Sequence, residues 1–224
     1  MTILLLSGSP STPSRSSRLL HFVGDKLSEL GHHVIHISLR DLPAQALLHA
    51  DFKNAELAAI RQQIAEADAV VVATPVYKAA YSGLLKLFLD MLPQDGLKDK
   101  LVLPIATGGS QSHMLALDYA LRPVLAALDA KHILPSVYAT DAQIVWSEQD
   151  GLRLDPAIEK RLHIGIHQLN EGLALSEFNR LKSATALPLA PVATIAVAAT
   201  ATAVATNTAD LNRSHAAAKV PCTA

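Results

Sequence analysis

Thr2-Ile3-Leu4-Leu5-Leu6 runs directly into Ser7-Gly8-Ser9-Pro10-Ser11-Thr12-Pro13-Ser14-Arg15-Ser16-Ser17, and apolar residues follow at Leu19, Leu20, Val23, Leu27 and Leu30. The first run reads as a buried strand, the second as a hydroxyl-rich loop, and the spacing of the third as one face of a helix. A helix that starts from such a loop leaves backbone N–H groups unpaired in its first turn and adds the partial positive charge of its dipole there. An anion fits that position. With hydroxyls at Ser9, Ser11, Thr12, Ser14, Ser16 and Ser17 and one guanidinium at Arg15, the natural occupant is a phosphate monoester. Serines beside prolines also make ordinary caps and surface turns, so the loop alone leaves both readings open.

The rest of the chain repeats the alternation. His33-Val34-Ile35-His36-Ile37 reads as a second strand, and residues 54–65 as a helix with Asn54 at its start. Asp68-Ala69-Val70-Val71-Val72-Ala73 is apolar on both faces, as a buried parallel strand requires, and Thr74-Pro75 is expected to stop it. A long helix is predicted over 79–92 and a fourth strand over 101–106, with Pro104 an awkward residue for a strand interior. A helix over 112–128 kinked at Pro123, a fifth strand over 133–139 interrupted at Pro135, and a last helix over 156–175 complete the pattern. Strands and helices alternating at these lengths specify an α/β fold, a doubly wound five-stranded parallel sheet in the order 2-1-3-4-5. Ligands of such sheets bind beyond the carboxyl ends of the strands, where the order reverses.

At 224 residues, half of them apolar, the chain is long enough for one well-buried domain, placed at 1–180. Residues 181–224 form an Ala- and Thr-rich extension whose small side chains bury too little to fix it in place, so it reads as flexible. Its apolar stretch 192–206 is short and weakly hydrophobic for a membrane span. The net charge of −1, without a basic cluster, argues against nucleic acid or a membrane surface as partner. Cys222 is the sole cysteine, which rules out disulfides within the chain and suits a cytoplasmic location. His32, His33 and His36 have no carboxylate or cysteine near them in sequence, and no metal site is expected.

Three loops follow predicted strands at one end of the sheet. They are Gly8-Ser9-Pro10 with Ser14-Arg15-Ser16-Ser17, Thr74-Pro75-Val76-Tyr77-Lys78-Ala79-Ala80-Tyr81-Ser82-Gly83, and Ala106-Thr107-Gly108-Gly109. In these motifs the chain resembles the flavodoxin-like NAD(P)H-dependent FMN reductases over roughly its first 179 residues. Val76 and Lys78 resemble the branch that supplies reduced FMN to alkanesulfonate monooxygenases. Members commonly carry arginine where this chain has Ser11, which concentrates the positive charge of the loop on Arg15.

The resemblance implies FMN and NADPH as cofactor and substrate, a flavin-dependent monooxygenase as acceptor of reduced FMN, and a flavodoxin-like fold. It also implies roles for particular residues. Ser9, Ser14, Arg15, Ser16 and Ser17 would hold the FMN phosphate; Pro75, Val76, Tyr77 and Lys78 would follow the ring edge; Thr107, Gly108, Gly109 and Ser110 would approach its pyrimidine side. Lys78 reads equally as a solvated loop lysine, and Tyr77 and Tyr81 as packing aromatics. No catalytic side chain is expected, because hydride passes from the nicotinamide to the flavin directly. Two other readings share the fold: a flavodoxin-type electron carrier, disfavoured by the near-neutral charge, and an FMN-dependent quinone or azo reductase. The helices around 84–92 and 114–128 are apolar nearly all round, which predicts a homo-oligomer, a dimer or tetramer. Tyr119 matches the position of a tyrosine that some members place in a widened helical turn at a subunit contact.

Overall fold

The computed structural model describes residues 1–185, with side chains to 183, so most of the expected extension lies outside the described residues. Strand β1 (Thr2–Ser7) lies between β2 (His33–Ser38) and β3 (Ala69–Tyr77), and β4 (Leu101–Gly108) pairs with the far side of β3. The fifth position is taken by β5 (Val137–Thr140), preceded by a two-residue piece at His132–Ile133. These pairings are all parallel, and the order is 2-1-3-4-5, as expected.

Alternate residues of each strand serve opposite layers, because side chains of a strand point to its two faces in turn. Ile3 and Leu5 meet one layer with Val71, Leu103 and Ile105, covered by α1 (Arg15–Glu29) and α6 (Pro156–Thr185). Leu4 and Leu6 meet the other with Val70, Val72 and Val102, covered by α3 (Ala55–Glu66), α4 (Gly83–Leu89) and α5 (Arg122–Ala127). Each such fully buried side chain contributes about 1.5–3 kcal/mol relative to exposure. The short α2 (Ala44–Leu48), which the sequence reading did not include, closes one end of the second layer through Ala46 and Leu47.

Pro104 sits inside a central strand after all. Val102, of the same parity, points its carbonyl at Leu134 N–H (2.8 Å), so the donor that Pro104 lacks would face the same neighbour. There the fifth strand is interrupted, at residues 134–136, so no ladder bond is lost.

Three expectations need correction. Thr74-Pro75 does not end β3, which continues to Tyr77. The reason is that β1 stops at Ser7, opposite Ala73, so at Pro75 no β1 residue is left to need its missing donor, and proline is tolerated there. Nor does a helix begin at 79. Lys78 (φ 50°) and Ala79 (φ 63°) turn the chain back, Ala80–Tyr81 pairs antiparallel with Val76 and Tyr77, and α4 begins after Ser82. Finally, 112–128 is three pieces rather than one kinked helix: a 3-10 turn (Gln111–His113), a π turn (Leu117–Leu121) and α5. Pro123, in the first turn of α5, cannot donate back to Tyr119, and the ladder widens over the turn before it.

A hairpin not expected from the sequence, β6 (Ile144–Ser147) with β7 (Gly151–Leu154), follows β5. Among the described residues no helix is long and apolar enough to cross a membrane.

Candidate active site at the carboxyl ends of the strands

Ser7 pairs with Ala73, and Pro75 with Thr107, so β1, β3 and β4 deliver their following loops to the same end of the sheet. Between them is a cleft of about 310 Å³ lined by Ser9, Ser11, Pro13, Ser14, Arg15, Pro75, Val76, Tyr77, Thr107, Gly108, Gly109 and Asp141. The cleft stands where a doubly wound sheet binds ligands.

The first loop is arranged by its own hydroxyls. Ser14 is the N-cap of α1, its Oγ accepting from Ser17 N–H at 3.3 Å, and Ser9 Oγ accepts from Ser11 N–H at 3.2 Å. The first-turn amides of Arg15 and Ser16 have no protein acceptor among the described residues. These donors, with the helix dipole behind them, suit an anion. Arg15 does not stand free. Its Nη1 lies 3.6 Å from Asp141 Oδ2, across the mouth of the cleft, and both side chains are about half exposed (51% and 45%).

A buried hydroxyl joins the first loop to the second. Ser82, 1% exposed, donates to the Gly8 carbonyl at 2.5 Å and, as N-cap of α4, accepts from Leu85 N–H at 3.1 Å. Its own N–H donates to Thr74 Oγ1 (3.0 Å), and that hydroxyl donates to the Pro75 carbonyl (2.9 Å). The 74–82 hairpin is therefore anchored at its base while Tyr77 and Lys78 stay exposed at its tip.

The third loop leans on a residue absent from the sequence reading. Tyr138 on β5 donates its hydroxyl to the Ser110 carbonyl at 2.6 Å. Burial, and secondly the Asp141 carboxylate, raise its pKa above the ordinary 10.0, which keeps the phenol a donor. A Cβ on Gly108 would fall on that hydroxyl oxygen, whereas one on Gly109 would meet nothing closer than Asp141 Oδ2 at 4.0 Å. Gly108 thus makes room for Tyr138 behind the loop, and only Gly109 leaves space on the cleft side.

Of the predicted residues, Ser9, Ser14, Arg15, Pro75, Val76, Tyr77, Thr107, Gly108 and Gly109 line the cleft together. Ser16 lies just behind, fully buried, with its Oγ 3.0 Å from Ser14 Oγ. Ser17 turns away, its Oγ 2.7 Å from Ser7 Oγ in a separate groove that also holds His21 and His36. Lys78 is exposed and does not line the cleft; Ser110 caps the next turn through Ser112 N–H. Tyr81 is half-buried against the core. The three early histidines are dispersed: His32 bonds Asn170 (2.9 Å), His33 is exposed, and His36 stacks on His21 (4.6 Å between rings). Among the described residues no three His, Cys, Asp or Glu side chains are placed to hold a metal ion.

Comparison with known proteins adds the following likenesses. The family model described as NADPH-dependent FMN reductase matches residues 1–143. The chain is 45% identical over 175 residues to the FMN reductase (NADPH) of Pseudomonas putida KT2440, covering 78% of this chain and 89% of that protein. It is 46% identical over 166 residues to the FMN reductase (NADPH) of Escherichia coli K12, covering 71% and 87%. Among solved structures, the apo form of an NADH:FMN oxidoreductase (EMOB) aligns with a TM-score of 0.68 at 38% identity, over 75% of this chain and 87% of that one.

Proposed function

This chain belongs to the NADPH-dependent FMN reductase family, and we propose that the cleft between its three loops is where it binds FMN for reduction by NADPH. The chain is an oxidoreductase, and bound FMN supplies the redox chemistry by accepting a hydride. The observation that carries the site assignment is the joining of unpaired first-turn amides, Ser9, Ser14 and Arg15 in one cleft with a glycine loop open at Gly109.

The residues divide the work by position. Ser9, Ser14, the Arg15 guanidinium and the first-turn amides bind the phosphate, with Ser16 supporting Ser14 from behind. Pro75, Val76 and Tyr77 present the hairpin to the ring edge, and Ser82 fixes that hairpin against the phosphate loop. Thr107, Gly108 and Gly109 orient the pyrimidine side, held by Tyr138 through Ser110. The exposed Tyr77 leaves one side of the cleft open to the second substrate.

Reduced FMN passes to a flavin-dependent monooxygenase of the alkanesulfonate type; the Thr74–Gly83 motif, with Val76 and Lys78, supports that partner. The working form is a cytoplasmic homo-oligomer, a dimer or tetramer. Met114, Leu115 and Tyr119, 45%, 50% and 79% exposed on and before the π turn, support an apolar subunit contact there.

The test is a steady-state assay of NADPH oxidation, first with excess FMN alone and then with a quinone and no excess FMN. Sustained turnover with free FMN is expected. Turnover confined to the quinone would overturn the reading in favour of a quinone reductase.

A further inference from the structure

We propose that Asp141 is a counter-ion that competes with the FMN phosphate for Arg15 and so weakens FMN binding; the inference rests on the phosphate-loop reading above. Arg15 and Asp141 are the only charged residues lining the cleft among the described residues, and they face each other at 3.6 Å. The cleft therefore presents no net charge to an incoming phosphate. The guanidinium that would make a charge-assisted bond to the phosphate already has a carboxylate partner. Asp141 is held at that place by backbone geometry: it follows β5 directly, and Gln143 Oε1 accepts from Thr140 N–H (3.0 Å) in the turn that carries it.

Two terms act in the same direction. The carboxylate repels the phosphate that shares its cleft, and it holds Arg15 in a pair that must loosen before the guanidinium engages a ligand. Because both side chains are half exposed, solvent screens the interaction, and the effect is modest rather than prohibitive. Asp141 thereby makes FMN an exchangeable substrate. A protein that has to give its reduced flavin away gains from such a group, since an unopposed Arg15 would slow release.

The experiment titrates the full chain with FMN and with riboflavin by flavin fluorescence, at low and high salt, for wild type, Asp141→Asn, Arg15→Ala and the double variant. Asp141→Asn is expected to tighten FMN by about three- to tenfold, with a steeper salt dependence than wild type, and to leave riboflavin unchanged. That gain is expected to shrink in the Arg15→Ala background. Unchanged or weaker FMN binding by Asp141→Asn, with riboflavin unaffected, overturns the inference. So does an equal gain with and without Arg15, because competition requires the guanidinium. If wild type binds FMN and riboflavin equally, the phosphate-loop reading itself falls, and this inference with it. Far-ultraviolet circular dichroism of each variant separates these outcomes from misfolding.

Discussion

Gly108→Ala and Tyr138→Phe are each expected to destabilise the protein, and the pair together less than their sum. A methyl at position 108 would fall on the Tyr138 hydroxyl oxygen, while the ring carbon Cζ behind it is 3.4 Å away and Val76 Cβ 3.5 Å. Forcing a methyl into that space costs about 1–3 kcal/mol, since the phenol must move and break its bond to the Ser110 carbonyl. Tyr138→Phe alone forfeits one hydrogen bond, about 0.5–1.5 kcal/mol. In the double variant the offending oxygen is gone, and the new methyl meets Cζ at an ordinary contact distance. Its cost should therefore approach that of Tyr138→Phe alone, a favourable coupling of about 1–3 kcal/mol. Urea unfolding of the four proteins measures the cycle, with Gly109→Ala as a control expected within about 0.5 kcal/mol of wild type. Costs that add within about 0.5 kcal/mol would refute the reasoning, because they would show that the added methyl and the hydroxyl do not meet.

Three further outcomes are expected. Ser82→Ala removes the donor to Gly8 and the N-cap of α4, and should cost about 1–3 kcal/mol by urea unfolding while weakening FMN binding in fluorescence titration. Lys100→Met leaves the Ala65 and Ala67 carbonyls without the Nζ donor they now share, at 2.9 and 2.8 Å, with a similar loss of about 1–3 kcal/mol read from the same unfolding curves and no change in FMN affinity. For His36, whose side chain is exposed, partial desolvation of the ring first, and then the stacked His21, hold the folded pKa below its ordinary 6.5, against a smaller opposing pull from Asp25, and solvent screening makes the effect small. Below that value the unfolded chain takes up the proton more readily, so stability falls as pH drops from neutrality through the interval down to the lowered folded pKa. His36→Gln should flatten that part of the stability profile, and an unchanged slope would show that other groups set it.

The sheet was legible because its central strands carry unbroken apolar runs, as in Leu4-Leu5-Leu6 and Val70-Val71-Val72, and β2 a short β-branched alternation. The start of α1 was legible for a different reason: hydroxyls beside a helix start commonly serve as caps, and Ser14 does cap α1. What escaped depended on contacts distant in sequence. Pro75 looked like a strand end because sequence does not show that β1 stops opposite Ala73. Residues 79–82 looked helical because left-handed Lys78 and Ala79 bear no glycine or asparagine to announce a turn. Asp150-Gly151 is a local signal of the β6–β7 hairpin, as Asp-Gly commonly is. Tyr138 and Asp141 carried no local signal. Each matters through a partner some 28 or more residues away, Ser110 for one and Arg15 for the other.

The Ser82 hydroxyl gives the two ends of the cleft a common gauge. One oxygen bridges the loop proposed to take a phosphate and the base of the hairpin proposed to take a ring, so the spacing of those two elements is fixed inside the protein core. On the proposed seating, a flavin whose side chain is shortened or lengthened by one carbon is expected to fit only one of the two ends. Discrimination by length would then rest on Ser82, a buried residue that does not line the cleft.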